Sequence, residues 1–353
     1  MSGRKGLVPA MLFLGLAFLG TVSAAAQETF AVGPVKAGRG EAKSGYLAVP
    51  EKDGVGTSIP VTVIHGAKKG KVLALCAGVH GAEYPPILGL YRLREMIDPK
   101  KLSGTVIMVH IANLPSFQKR TVYYNPYDGK NLNRVFPGDP KGTLCQRIAY
   151  VLTEEVIKKC DALLDIHCGD SNEALIPYSY WMVSDKKAVD AQSRELTLAF
   201  GLEHNIIDTT KPKDPADSKY LANTAILLGK PAVTTEAGLL GRTDEESIVR
   251  NVKGVQSVMR ALKMIEGKPE PPAHPVWIDK FEVVNSNADG LFFPRVEMGA
   301  TVAEGQTVGV VQDYLGGGKQ EIKAPFAGII LYIIGTPPAN KGEPLLEVGR
   351  VKK

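Results

Sequence analysis

Residues 71–90 read KVLALCAGVHGAEYPPILGL, and this stretch decides how the chain is expected to fold. The apolar run over residues 71–79 is typical of a strand buried on both faces. Behind it, Pro85 and Pro86 stand where a first helical turn has free amides, and apolar residues recur at helical spacing. A buried strand followed directly by a helix is the repeating unit of an α/β fold.

The same alternation continues along the chain. Further strands are predicted at residues 105–111, 162–167 and 232–236, and helices at residues 142–159 and 188–201. The segment 113–139 is rich in Asn, Tyr, Gly and Pro, and its apolar residues recur with neither the helical nor the strand period. Long irregular segments inside compact domains are usually functional. The pattern predicts an α/β domain with a largely parallel sheet.

The composition changes near the C-terminus. Residues 267–275 are rich in Lys, Pro and Glu, which marks a linker, and the chain beyond them alternates and turns repeatedly on Gly and Pro. Short strands with turn signals predict a small all-β domain. We therefore expect the α/β domain over residues 27–270 and the β domain over residues 271–353.

The N-terminus has the pattern of a secretory signal peptide. Arg4 and Lys5 precede an apolar run over residues 7–22, which ends in small residues before Gln27. A membrane anchor is the alternative, but the cleavage-like site followed by polar sequence favours removal of residues 1–26. No other stretch has the ~20 apolar residues of a bilayer span, so we expect a periplasmic or secreted protein without a stable membrane span.

Composition and charge exclude some classes of protein. With 353 residues and 44% hydrophobic content, the chain can form a sizeable core, and the net charge of +5 is spread without basic blocks. This argues against a nucleic-acid partner. Four cysteines permit disulfides in an exported protein, but we expect mostly buried thiols, because Cys145 and Cys160 lie too far apart along one predicted helix to bond. Nothing in the sequence indicates an oligomeric state.

His80 and Glu83 stand where the first buried strand gives way to its helix. Ligands gather beyond the carboxyl ends of strands in such sheets, and a neutral imidazole with a carboxylate is a normal zinc pair. Gly78 and Gly81 let the backbone bend there. The short pattern alone is weak evidence for a metal.

Two more strand ends carry polar groups of the same kind. His167 closes the strand 162–167, and Asp165 lies on the same side, where it could accept the second N–H of the imidazole. Glu236 ends the strand 232–236 and could serve as the general acid/base of a hydrolysis. The alternatives are a buried, hydrogen-bonded histidine and a surface ion pair. Together His80, Glu83 and His167 leave a fourth position open, as in catalytic zinc sites, and we expect one Zn²⁺ per chain.

The irregular segment contains a candidate substrate-binding turn. Asn133 and Arg134, on a turn bounded by Gly and Pro, offer amide and guanidinium donors suited to a carboxylate. Arg120 could stabilise a tetrahedral oxyanion. Tyrosines 123, 124, 127, 178 and 180 could form pocket walls. A solvated loop with an incidental arginine is the alternative.

Four motifs in order carry a family resemblance. They are HGAE at residues 80–83, DGKNLNRVFPG at 128–138, DIH at 165–167 and TEAG at 235–238. As an ordered set they resemble the succinylglutamate desuccinylase/aspartoacylase family, relatives of the zinc carboxypeptidases, over roughly residues 45–350. The resemblance implies a zinc carboxypeptidase-like mixed sheet flanked by helices, zinc on the first three predicted ligands, Glu236 as acid/base, and Asn133 with Arg134 on a substrate carboxylate.

The resemblance has one departure and one addition. In many members of the family an arginine directly follows a threonine that stands shortly before an aromatic residue. Here Val122 follows Thr121 instead, so that Arg120, on the N-terminal side of Thr121, would take the place of that arginine. The C-terminal stretch resembles a lipoyl/biotinyl-type β-sandwich. It has no lysine flanked by methionines, and we expect it to be structural or a wall of the site.

Two functions follow as hypotheses. The first is a zinc-dependent amide hydrolase, either a deacylase of N-acyl amino acids or a carboxypeptidase-like enzyme on short peptides, acting on a small-molecule or peptide substrate with a carboxylate. The second is a non-catalytic periplasmic binding protein of the same fold. Intact ligands and Glu236 favour the hydrolase.

Overall fold

The computed structural model describes residues 1–3, 6 and 28–353. The apolar run of the predicted signal peptide lies outside these residues, and so does its cleavage site. No helix in the described part of the chain is long and apolar enough to cross a membrane.

Strands and helices alternate through the first two thirds of the chain, and strands alone follow. The strands are β1 (Thr29–Val32), β2 (Val35–Gly38), β3 (Glu41–Lys52), β4 (Val55–His65), β5 (Lys68–Ala77), β6 (Ser103–Val109), β7 (Ala162–His167), β8 (Glu173–Leu175), β9 (Tyr178–Met182), β10 (His204–Asp208), β11 (Ala232–Glu236), β12 (Val276–Asn285), β13 (Gly290–Pro294), β14 (Thr301–Val302), β15 (Thr307–Gln312), β16 (Lys319–Lys323), β17 (Gly328–Ile334), β18 (Pro338–Ala339) and β19 (Pro344–Val351). The α-helices are α1 (Tyr84–Met96), α2 (Leu114–Lys119), α3 (Leu144–Leu152), α4 (Lys187–Phe200), α5 (Leu221–Leu227) and α6 (Glu245–Ala261).

One large mixed sheet of 13 strands organises the molecule. Its order is β14-β17-β19-β12-β10-β9-β11-β7-β5-β6-β4-β3, with β8 paired to β17. The central strands β6, β5, β7 and β11 are parallel, whereas β4 and β9 join this group antiparallel. The predicted parallel sheet is therefore confirmed at the centre, and the sheet as a whole is mixed.

Helices cover both faces of this centre because the middle strands are apolar on both sides. In β5, Ala74 and Cys76 pack into the core under α3 and α5, while Leu73 and Leu75 pack into the core under α1, α4 and α6. Side chains alternate across a strand, so a continuous apolar run supplies both layers at once.

The predicted bounds of the strands and helices are largely confirmed. Strands β7 and β11 occupy the predicted residues, and β5 begins and ends slightly earlier than predicted. The helix predicted over residues 142–159 is shorter, because α3 ends at Leu152 and a π-helical turn, Thr153–Ile157, follows it. All four cysteines are buried free thiols, as expected.

The C-terminal strands continue the main sheet. The predicted linker, residues 267–275, connects α6 to β12, but β12 pairs in parallel with β10 and antiparallel with β19. A second sheet, β16-β15-β13-β18, shares a hydrophobic core with β14, β17 and β19. The all-β composition of this part is confirmed, while its likeness to lipoyl domains stays a prediction.

Candidate metal centre

The predicted metal ligands meet at the carboxyl ends of the central parallel strands. His80 and Glu83 lie in the loop from β5 to α1, and Glu83 is the residue that caps α1. His167 and Glu236 end the neighbouring strands β7 and β11, where they stand directly opposite each other in register. Parallel pairing places consecutive strand ends at one edge, which brings residues distant in sequence together.

Three ligand atoms converge at this edge. His80 Nδ1 lies 2.6 Å from Glu83 Oε1, and His167 Nδ1 lies 2.8 Å from Glu83 Oε2. The candidate ligand atoms of the three residues all lie within 4.8 Å of one another. Glu83 and His167 are buried, and His80 is partly buried. A cluster of this size can hold a metal ion.

The outer ring nitrogens show which atoms face the cluster. His167 Nε2 lies 2.9 Å from Asp165 Oδ1, as predicted, and His80 Nε2 lies 3.1 Å from Asn131 Oδ1. Since both oxygens accept hydrogen bonds, both Nε2 atoms carry the proton in the neutral rings and both Nδ1 lone pairs point at Glu83. Two lone pairs facing a carboxylate repel it unless a cation lies between them, so this donor set fits a metal such as Zn²⁺.

When no metal ion is bound, a second proton on the imidazole rings can take the place of that cation, and the pKa values reflect this. Burial alone would raise the pKa of Glu83, but His167 and His80 outweigh it and lower the pKa to about 2. Burial would lower the pKa of His167, yet Asp165 and Glu83 hold it well above the usual value. In addition, Glu83 Oε2 is buried and no described residue forms a well-aligned hydrogen bond with it. The carboxylate is thus charged and directed at a position suited to a cation.

Gly81 gives the loop that carries His80 its close approach to α2. A Cβ atom at residue 81 would lie 2.1 Å from the backbone nitrogen of Phe117, and the Gly81 N–H donates to Ser116 Oγ at 3.2 Å. Gly78 has φ +68°, a left-handed conformation that glycine adopts without strain. The loop can therefore turn the ligands toward β7 only with glycines at these positions.

Glu236 is placed for proton transfer beside the cluster. Its side chain lines the same cavity as the three candidate ligands. Burial raises the pKa of Glu236 well above the usual carboxyl value, His167 works against this, and Glu83 and Glu173 add to it. A carboxyl group whose pKa is raised can hold a proton near neutral pH, as a general acid/base must.

Asn133 lines the cavity, and both ends of its amide already have partners within the protein. Its Oδ1 accepts from the Leu221 N–H at 2.8 Å, and its Nδ2 lies 3.5 Å from Asp165 Oδ2 and 3.4 Å from His167 Nε2. The amide is 6% exposed. Both ends of Asn133 are therefore engaged within the protein, behind the ligand His167.

Arg134 does line the cavity. Its guanidinium donates to the Asn133 carbonyl at 2.7 Å and lies 4.8 Å from the centre of the Tyr220 ring. Lys211 Nζ lies 4.1 Å from the centre of that ring and pairs with Asp208 at 2.9 Å. Two cations at one tyrosine form a positive corner of the cavity.

Arg120 is not brought to the site. It caps the C-terminus of α2 with φ 55° and its side chain is exposed, away from the residues that line the cavity. The left-handed cap turns the chain, and the residues that reach the cavity are Val122, Tyr123 and Tyr124. The geometry therefore gives no support to the predicted contact of Arg120 with an oxyanion.

The cavity has a volume of about 790 Å³ and is closed on one side by the C-terminal strands. Tyr178 and Tyr180 form part of its wall, as predicted, whereas Tyr127 does not line it. Sequence reasoning missed Lys211 and Glu347. Glu347 carried a readable signal, since it is an acid inside the apolar run of residues 345–348, whereas Lys211 carried none.

The chain is similar to known proteins along most of its length. A family profile described as the succinylglutamate desuccinylase/aspartoacylase catalytic domain matches residues 69–262. The N-alpha-acetyl-L-2,4-diaminobutyric acid deacetylase of Halomonas elongata is 29% identical over 320 residues, covering 87% of this chain and 91% of that protein.

Solved structures show the same likeness. The product-bound structure of the ectoine utilization protein EutE (DoeB) from Ruegeria pomeroyi is 26% identical with a TM-score of 0.78, covering 88% of this chain and 95% of that one. A succinylglutamate desuccinylase/aspartoacylase from Rhodobacter sphaeroides, 24% identical with a TM-score of 0.78, shares the fold over 88% of this chain and 96% of its own. The profile spans more than half of the sequence. The chain belongs to the succinylglutamate desuccinylase/aspartoacylase family.

Proposed function

We propose that this chain is a zinc-dependent amide hydrolase that deacylates N-acyl amino acids. The observation that carries the proposal is the convergence of His80, Glu83 and His167 beside Glu236 in one cavity. The relatives support the reaction class, because the Halomonas protein is named as a deacetylase and the family for a desuccinylase and an acylase. They favour a deacylase over a carboxypeptidase.

The chemistry divides between the metal and the protein. Zinc bound at the three ligands would act as a Lewis acid that polarises the amide carbonyl and lowers the pKa of water. Glu236, which lines the same cavity as the three ligands, accepts a proton from the attacking water and returns it to the leaving amine. Asp165 and Asn131 accept the Nε2–H bonds of the two histidines and so keep their Nδ1 atoms directed inward.

The positive corner of the cavity supplies the second contact to the substrate. Arg134 and Lys211 flank Tyr220, and both side chains line the cavity that contains the metal ligands. An α-carboxylate bound there would be fixed relative to the amide. The substrate class that fits is a small N-acyl amino acid, of the kind named for the Halomonas relative.

The test is a screen with a matched blank. Zinc-loaded protein is incubated with N-acyl amino acids and short peptides, products are followed by mass spectrometry, and bound zinc is measured by elemental analysis. Glu236→Gln should retain zinc and lose roughly 10²- to 10⁴-fold in kcat/KM. Glu304→Gln, which makes the same change at an exposed position, should keep wild-type activity.

Three results would count against the proposal. These are the absence of stoichiometric zinc, hydrolysis that is unaffected by Glu236→Gln, and cleavage confined to peptides. Tight binding of N-acyl amino acids without turnover, with zinc present, would instead support the non-catalytic binding protein.

We also propose that the protein is periplasmic or secreted. The support is the sequence of residues 4–26, with its basic start, apolar run and small-residue end. Fractionation of cells expressing the full chain, together with N-terminal sequencing of the mature protein, tests this: export should yield a chain that begins at Gln27.

A further inference from the structure

Glu347 is a buried carboxylate on the wall of the cavity that the proposed reaction does not use. It lies on β19 and is 1% exposed. Tyr332 on β17 and Val283 on β12 stand directly opposite it in register, and all three line the cavity. Its Oε2 atom has no hydrogen-bond partner among the residues that the structure describes. A buried carboxylate oxygen without a partner is costly unless something else binds it.

The charges around Glu347 do not balance. Within the described part of the chain it takes part in no ion pair, whereas Lys211 pairs with Asp208 at 2.9 Å. Asp208 is fully buried, so two buried carboxylates share the influence of one lysine. Glu347 is therefore left without a basic partner, so its carboxyl group either keeps a proton or is neutralised by a bound cation.

The ionisation of Glu347 reflects this imbalance. The pKa of Glu347 is raised to about 8, and burial is the largest cause. Glu173 and Asp208 add to the rise, whereas Lys211 and a hydrogen bond from Tyr180 act against it. A cation placed beside the carboxylate would lower the pKa and favour the charged form. The surroundings also suit an organic cation, because the rings of Tyr180 and Tyr332 lie on the same cavity wall.

We infer that Glu347 is a specificity-determining residue that binds a positively charged amino group on the substrate side chain. This inference rests on the proposed function, and it deepens that function. The substrate would carry its acylated α-amino group to the metal, its carboxylate to Arg134 and Lys211, and a distal ammonium to Glu347. N-acyl derivatives of diamino acids are the chemical class with these three groups.

An isosteric pair of substrates tests the inference. Nα-acetyl-2,4-diaminobutyrate and Nα-acetylnorvaline differ only in an ammonium that replaces a methyl group. The wild type should prefer the ammonium substrate by roughly 10- to 100-fold in kcat/KM, as expected for a charge-assisted hydrogen bond. Glu347→Gln should lose most of this preference and leave the norvaline substrate within a few-fold of wild type.

Two further variants separate specificity from structure. Glu347→Asp keeps the charge and should keep part of the preference. Glu282→Gln removes an exposed carboxylate from the neighbouring strand β12 and should change neither substrate. Thermal unfolding of each variant shows whether it has folded.

Binding gives a readout that does not depend on turnover. By calorimetry, 2,4-diaminobutyrate should bind the zinc-loaded wild type more tightly than norvaline, and Glu347→Gln should abolish the difference. Equal losses on both substrates, or a wild type that does not distinguish them, would overturn the role of Glu347 and leave the hydrolase intact. Failure of the hydrolase would appear instead as absence of turnover on every substrate, and the calorimetric difference would still decide the role of Glu347.

Discussion

Replacing Asp165 with asparagine should weaken zinc binding about tenfold without unfolding the protein. Asp165 is fully buried, and its Oδ1 accepts the Nε2–H of His167 at 2.9 Å. Asparagine has the same shape and can still accept that bond through its oxygen. Its nitrogen would then face Asn133 Nδ2, which now lies 3.5 Å from Asp165 Oδ2, so that two donors would meet.

The expected loss of zinc affinity follows from the hydrogen bond between His167 and residue 165, whose acceptor changes from a charged carboxylate to a neutral amide. A hydrogen bond to a charged group contributes about 1.5–3 kcal/mol and a neutral one about 0.5–1.5 kcal/mol. The difference of about 1–1.5 kcal/mol corresponds to roughly a tenfold change in affinity. Losses of 10- to 100-fold are typical when the outer partner of a metal-bound histidine is removed.

The assay is competition for zinc with a chromophoric chelator at constant pH. Asp190→Asn is the matched control, since Asp190, in helix α4, is also buried and accepts hydrogen bonds from Ser184 in the preceding loop. It should lower stability without changing zinc affinity. Unchanged zinc affinity in Asp165→Asn, with the protein folded, would refute the role given to this bond.

Two other changes have clear expected results. Gly81→Ala should weaken zinc binding and cost more than about 1 kcal/mol of unfolding free energy, because the new Cβ would meet backbone atoms of Phe117 and Ser116; Gly317→Ala, which meets only the end of a flexible side chain, should change neither quantity in chelator competition and urea unfolding. Burial, with Arg94 adding to it, lowers the pKa of His110 from 6.5 to about 4. As the pH falls, the unfolded chain therefore takes up the proton before the folded protein does. The free energy of unfolding should decrease between about pH 6.5 and 4, by up to about 3 kcal/mol. Urea unfolding of the wild type and His110→Gln at both ends of this range checks the sign, and an equal pH dependence in the two proteins would contradict it.

The clustering of the candidate metal ligands could be predicted because each residue's position depends on local structure. His80, Glu83, His167 and Glu236 stand at or just after the ends of apolar strands, and parallel pairing alone brings such ends together. Alternation along β7 was enough to place Asp165 beside His167. None of these inferences required knowledge of how distant segments pack.

The substrate side was harder because its residues depend on the paths of irregular segments. Asn133 and Arg134 are neighbours on a short 3₁₀ turn, Leu132–Arg134, and both line the cavity, yet the amide is held by the Leu221 N–H whereas the guanidinium lies against the Tyr220 ring. Arg120 lies at a left-handed helix end that directs it to solvent. Composition shows the chemistry of such residues, but their directions follow from backbone angles that no periodicity encodes.

Lys211 and Glu347 required the tertiary fold. Lys211 follows β10, and Glu347 belongs to the predicted β domain, which the sequence showed as a separate unit. The pairing of β12 with β10 and β19, together with the pairing of β17 with β19 and β8, brings this strand to the cavity. Such long-range register has no local signature.

The pairing of the C-terminal strands also governs the order in which the molecule can be completed during translation. The candidate metal ligands lie between residues 80 and 167, so the ribosome releases them well before it releases β19. The early strands can pair while later ones are still being synthesised, but the cavity lacks one wall until β12, β17 and β19 have joined the sheet. The candidate metal ligands of a nascent chain are therefore available before the wall that carries Glu347, and a stop codon at residue 344 would remove that residue together with the strand that joins β12 to β17.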